Sequence, residues 1–104
     1  MKQYRQGDVF LLPVDEKRVN LATARPLDHV TIALGEATGH AHRFDASTTH
    51  VHLLRDSSDT LWIKVEQPSP LVHEEHETLL IEPGLYRYLP QREYDPLANR
   101  WVVD

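Results

Sequence analysis

Apolar and polar positions alternate with a period of two along most of this chain, and no stretch sustains a helical apolar period. The run Val9–Val14 follows the turn pair Gly7-Asp8, is short and apolar, and predicts a first strand. Residues 15–28 are polar and mixed, and read as a loop with a short helical turn. The alternation resumes over 29–34, with Val30, Ile32 and Leu34 on one face and His29, Thr31 and Ala33 on the other, which leaves His29 outside. From His40 to Phe44 the histidines His40 and His42 share a face with Phe44, while Ala41 and Arg43 share the opposite one. An apolar Phe44 on the histidine face points that face inward. Residues 49–54 alternate in the other sense: Val51 and Leu53 form the apolar face, and His50 and His52 lie on the solvent side. Asp56-Ser57-Ser58-Asp59 is a turn by composition, so strands over 49–55 and 60–67 form a hairpin. Pro68-Ser69-Pro70 breaks the ladder, because neither proline can donate a backbone hydrogen bond, and sends the chain to another sheet. A strand over 78–82, the turn Pro83-Gly84 and a last convincing strand over 85–89 complete the pattern, with 91–96 as an edge and 100–104 as a short tail. The expected class is mainly β, one domain over residues 1–104, built as a small barrel or sandwich.

Size and charge narrow what such a domain does. A chain of 104 residues supports a single core. Sixteen acidic residues against eleven basic ones give a net charge of −5, which offers no general attraction to nucleic acid or anionic membrane. That balance weighs against a nucleic-acid platform built from Trp62, Tyr86, Tyr88 and Arg87. The apolar run near the polar N-terminus is stopped by Pro13, too short for a signal peptide, and no later run approaches the length of a membrane span, so a cytoplasmic location is expected. Cysteine is absent, which removes disulfides, thiolate nucleophiles and cysteine zinc sites and leaves His, Asp and Glu as the strong side-chain ligands. An edge within 92–103 is the expected surface for a homodimer.

Six of the seven histidines lie between positions 40 and 76, and that concentration is the candidate chemistry. Residues two apart on a strand point the same way with α-carbons roughly 6.5 to 7 Å apart, close enough for two imidazoles to share one ion at about 2.0 to 2.1 Å. His40 and His42 meet that condition. The run His73-Glu74-Glu75-His76-Glu77 cannot aim all its groups one way if extended: His73, Glu75 and Glu77 face one side, Glu74 and His76 the other. A turn within it would let His73 and His76 converge, since a spacing of three suits a helical turn. The spacing excludes the zinc-protease helix motif. His29, His50 and His52 read as solvated residues, whereas His40, His42, His73 and His76 read as ligands of a divalent ion, zinc first, with manganese and iron as alternatives. Glu74 or Glu75 is the candidate general base, and Arg43, Arg87 and Arg92 are candidates for holding a small anionic substrate. A two-histidine, one-carboxylate set would favour iron and oxygen chemistry. A closed shell of four histidines implies a structural ion in a non-enzymatic binding or regulatory module; an open shell of three ligands implies a hydrolase or lyase.

The segment Gly35-Glu36-Ala37-Thr38-Gly39-His40-Ala41-His42, a downstream histidine and acidic element and Pro83-Gly84 together resemble the cupin arrangement. In that arrangement a His-x-His on one strand, a Glu shortly after it and a later His hold a metal within a β-barrel; here Asp45 is the nearest acid after His42, and the later histidines precede Pro83-Gly84. The landmarks Gln6-Gly7-Asp8-Val9, residues 35–42, His73-Glu74-Glu75-His76 and Gln91-Arg92-Glu93-Tyr94 resemble a family of small uncharacterised bacterial and phage proteins. That second resemblance covers most of the chain and favours His40, His42, His73 and His76 over His50 and His52.

Overall fold

The computed structural model describes residues 2–34, 40–90, 93–95 and 100–102, with the backbone alone for Leu34 and for the residues beyond 90. The expected strands form. Strands β1 (Tyr4–Gln6) and β2 (Val9–Val14) are joined across the Gly7-Asp8 turn, where Gly7 takes a φ of 58° that a residue with a side chain resists. A 3-10 turn at Glu16–Arg18, capped by the Asp15 carboxylate on the Lys17 amide, supplies the helical turn of the polar loop. The two-residue β3 (Arg25–Pro26) follows, then β4 (Thr31–Leu34), β5 (Ala41–Arg43), β6 (Val51–Arg55), β7 (Leu61–Val65), β8 (Ser69–Leu71), β9 (Leu79–Ile81), β10 (Gly84–Pro90), β11 (Glu93–Asp95) and β12 (Arg100–Val102). The β6–β7 turn is organised by Asp56, whose carboxylate accepts from the amides of Ser58 and Thr60 and from the Trp62 indole N–H at 2.9 to 3.0 Å.

Six strands make one antiparallel sheet in the order β1-β2-β10-β7-β6-β3. Among the described residues the sheet is open, which corrects the barrel alternative. Its edges are a three-residue strand and a two-residue strand carrying Pro26, too short and too poor in donors to pair with each other and close the sheet. The chain instead leaves the sheet twice, between β3 and β6 to form the β4–β5 pair and at Pro68, as expected, to form the β8–β9 pair, and the two pairs are joined by a bridge in which the amides of Arg43 and Val72 donate to each other's carbonyls at 3.0 and 2.9 Å. Val9, Leu11, Leu53 and Ile63 from the large sheet pack in one core with Ile32, Phe44, Leu71 and Ile81 from the hairpins. Each of those fully buried side chains contributes about 1.5 to 3 kcal/mol through removal of apolar surface from water.

Two of the aromatic side chains weighed for a stacking platform are turned to the core. Tyr86 is buried against Tyr4, with its hydroxyl donating to the Glu82 carbonyl at 2.6 Å, and Tyr88 packs on the core. The strands β11 and β12, within the segment expected to offer a dimer edge, pair with each other. Among the described residues no helix is long and apolar enough to cross a membrane.

Candidate metal centre

Three segments distant in sequence converge over one end of β5. The first is β5 itself. It pairs with β4 through an irregular register in which Thr31 and Ala33 face Arg43 and His42, so that Ile32 is an extra residue on β4. Such a bulge twists the strand and re-aims its side chains. His42 and Phe44 are buried, as the inward face requires, and Ala41 is covered too, so both faces of β5 are occupied.

The second segment is the Gln6-Gly7-Asp8 turn between β1 and β2. The Gln6 side-chain amide nitrogen donates to the carbonyls of Leu71 and Glu77 at 2.9 and 2.8 Å, and its oxygen lies 2.9 Å from His42 Nδ1. Asp8 Oδ1 lies 3.3 Å from His42 Nε2. Between them, Gly7 is the seat of the His76 ring: a β-carbon there would stand 2.5 Å from His76 Nε2. A polar Gln6 on the same inward face as Tyr4 was the signal in the sequence that this turn does more than connect two strands.

The third segment is the His73-Glu74-Glu75-His76 run, and it bends. The Arg43 to Val72 bridge sets its start beside β5. The His73 imidazole then accepts at Nδ1 from the amides of Glu75 and His76, at 3.1 and 3.3 Å, which curls the chain back over itself. The bend brings the rings of His73 and His76 to 4.6 Å, the convergence that the extended alternative would have prevented. His73 also stands 4.2 Å from the His42 ring and 5.6 Å from that of His40. Glu74 continues the seam between β5 and the bend: its Oε2 accepts from the Ala41 amide at 2.9 Å and its Oε1 from Arg43 at 2.6 Å. Glu75 faces His40 Nδ1 at 3.4 Å.

Electrostatics separates these groups by role. The Ala41 amide, with help from the guanidinium of Arg43, holds Glu74 down to about 2, so this carboxylate is a persistent anion and a weak base. Burial holds His42 below the ordinary imidazole value, the His73 and His76 rings adding to the effect while the Asp8 carboxylate opposes it. Burial likewise lowers His73, with His76 adding to it. Both rings are therefore neutral near pH 7, the form in which an imidazole donates a lone pair to an ion.

Of the expected ligands, His40 and His73 come together with Glu74: one donor atom from each lies within 4.8 Å of the others. His42 and His76 stand beside that trio rather than in it. Arg43 joins it through Glu74 and, on its other side, lines a cavity of about 710 Å³ floored by Val30, Phe44 and Val72. Arg87 is exposed on β10 opposite Trp62, within electrostatic reach of Asp56 and outside the cluster. Arg92 and the segment 35–39 lie outside the described residues. His29 and His52 are exposed as expected, and His52 pairs with Glu66 across the β6–β7 hairpin at 2.8 Å.

Comparison with curated proteins and with solved structures finds no match. Residues 5–91, which contain β2 through β10 and every residue of the cluster just described, match the model of a family described as a domain of unknown function (DUF8820), and the chain belongs to that family.

Proposed function

We propose that this protein is a divalent-metal protein whose ion is held by His40, His73 and Glu74 and whose open side works as a hydrolase or lyase centre. The observation that carries the reading is the convergence of those three donors from two segments more than thirty residues apart, in a chain with no cysteine to compete. Two imidazoles and a carboxylate are a donor set suited to zinc, manganese or iron, with zinc the first choice.

A bound divalent ion would supply Lewis acidity and a water of lowered pKa. The chain's own residues supply the rest. Glu74, pinned by the Ala41 amide and Arg43, keeps its charge and its direction, which suits a ligand and disqualifies it as the base. Glu75, mostly exposed and beside His40, takes the role of general base. Arg43 stands between Glu74 and the cavity, where its remaining N–H groups meet the anionic part of a small substrate. His73 has a cost to meet. To bind through Nε2 as a neutral ring it must carry its proton on Nδ1, so ion binding displaces the amide contacts of Glu75 and His76.

The same seam favours one second reading, a non-enzymatic module with a structural ion, because Glu74 already stitches the bend to β5. Metal analysis of tag-free protein, followed by a thermal scan with added Zn²⁺, Mn²⁺ or Fe²⁺, tests the metal in both readings. A metal-free preparation whose midpoint no ion moves would end them. A survey of small ester, phosphate and lactone substrates on the loaded protein separates enzyme from module.

A further inference from the structure

The cavity beside Arg43 exists because one flank of β6 is only partly paired. β3 is two residues long and pairs with Leu54 and Arg55 alone, and one further bond, from the Leu27 amide to the Leu53 carbonyl at 2.8 Å, ends the contact. The chain then turns away through Asp28 towards β4. Among the described residues the start of β6 is thus left without a strand on that side, and it borders a cavity of about 710 Å³ whose other walls include Thr31 on β4, Arg43 on β5 and Pro70 on β8. Small-molecule sites span roughly 300 to 1,000 Å³.

The lining divides sharply by chemistry. Its apolar part is Leu27, Val30, Phe44, Val51, Leu53 and Val72. Most polar groups around it are engaged within the protein. His29 Nδ1 accepts from the Thr31 amide at 3.3 Å, His52 Nε2 lies 2.8 Å from Glu66, the Thr48 hydroxyl accepts from the His50 amide at 3.2 Å, and Asp45 accepts from the amide and hydroxyl of Ser47 at 2.9 and 2.7 Å. Arg43 differs. Its bonds to the Ala41 carbonyl and to Glu74, at 3.1 and 2.6 Å, both leave from Nη1, so among the described residues the Nε–H and the Nη2 group are unengaged. Those two form the edge of a guanidinium that matches a carboxylate as a fork. Asp28, exposed at the rim, opposes a second negative charge on anything bound.

We propose that the cavity takes the apolar body of a small amphipathic monocarboxylate, with the carboxylate on the Nε and Nη2 edge of Arg43. This names the substrate class of the centre proposed above and rests on that reading only for the chemistry at the ion. Glu74 holds the other arm of the same guanidinium, so the bound anion is tied to the trio through one side chain. Removal of apolar surface from water supplies the affinity, and the single cation sets the orientation. A sugar or other polyhydroxylated anion fits poorly, because the apolar lining offers its hydroxyls no partners.

A carboxylate series tests this. Calorimetric titration of tag-free, chelator-treated protein with butyrate, hexanoate and octanoate is expected to show affinity rising about two- to fourfold with each added methylene. Octanoate is expected to bind about tenfold more tightly than octanol or octylamine, and Arg43→Gln to remove that preference. Ala46→Trp, which places a ring at the exposed rim, is expected to abolish octanoate binding. No binding, affinity that is flat in chain length, octylamine bound as well as octanoate, or an Ala46→Trp protein that binds like the wild type overturns the proposal. Because Ala46→Trp can disturb its own loop, amide spectra of the wild type locate the ligand independently. Shifts on octanoate addition concentrated at Leu27, Val30, Val51 and Val72 are expected, and shifts centred elsewhere overturn the proposal. Added Zn²⁺ judges the metal separately: octanoate binding without zinc uptake upholds the cavity and removes the metal centre, whereas zinc uptake without octanoate binding removes the cavity and leaves the metal centre standing.

Discussion

The chain carries two His-x-His pairs ten residues apart, and the fold treats them oppositely. His50 and His52 straddle the start of β6, a strand inside the large sheet whose Val51 and Leu53 are committed to the core, so His52 is left in solvent to pair with Glu66. His40 and His42 straddle the start of β5, a strand of a small hairpin bracketed by the Gln6-Gly7-Asp8 turn on one side and the bend at His73 on the other. The local motif is the same. What differs is what backs it, and a functional histidine pair is defined by the partners that fix its tautomer and charge.

The comparison breaks most sharply at His42. His42→Ala removes a buried ring and orphans both the Gln6 oxygen and the Asp8 carboxylate, so urea denaturation is expected to show a loss of about 2 to 4 kcal/mol. A loss under about 1 kcal/mol would mean that the Gln6 and Asp8 contacts carry little. Gly7→Ala comes next. Its β-carbon would strike the His76 ring and the backbone sits at a φ of 58°, a combination expected to cost about 1 to 3 kcal/mol and to displace His76. Near-unchanged stability, with unchanged His76 chemical shifts, would show that the ring does not depend on that bare seat.

Acid sharpens the comparison further. His42 and His73 both have pKa values lowered from 6.5, so the unfolded chain takes up protons first as pH falls. Their neutral forms therefore cost the fold nothing above about pH 6.5, and the chelated protein loses stability progressively below it. Urea midpoints between pH 8 and pH 5 check the sign; a flat profile contradicts it. The smallest effect belongs to the other pair. His52→Gln removes an exposed pairing with Glu66 and is expected to change stability by no more than about 0.5 kcal/mol.

The strands were legible because their signals are local. Phe44 announced the inward face of β5, Val51 and Leu53 the outward placing of His52, and Pro68 and Pro70 the departure from the first sheet. The rest was encoded at a distance. Gln6 meets His42 across thirty-six residues, and nothing near either names the other. The bend at residues 73–76 contains neither glycine nor proline; it is stabilised by His73 accepting backbone amides, an unusual use of a ligand-type residue, so the extended and bent alternatives were equivalent in the sequence. The open sheet was invisible too, because whether edges close depends on strand lengths set by partners. Glu74 could be read as base or ligand until the Ala41 amide and Arg43 were seen to hold it as a fixed anion.

The most direct test of the account is a calorimetric titration of Zn²⁺ into tag-free, chelator-stripped protein, comparing wild type with His40→Ala/His73→Ala and with His50→Ala/His52→Ala. The account predicts saturable binding in the wild type, its substantial loss in the first double variant and its retention in the second. No binding in the wild type, or a loss that follows His50 and His52 instead, would contradict it.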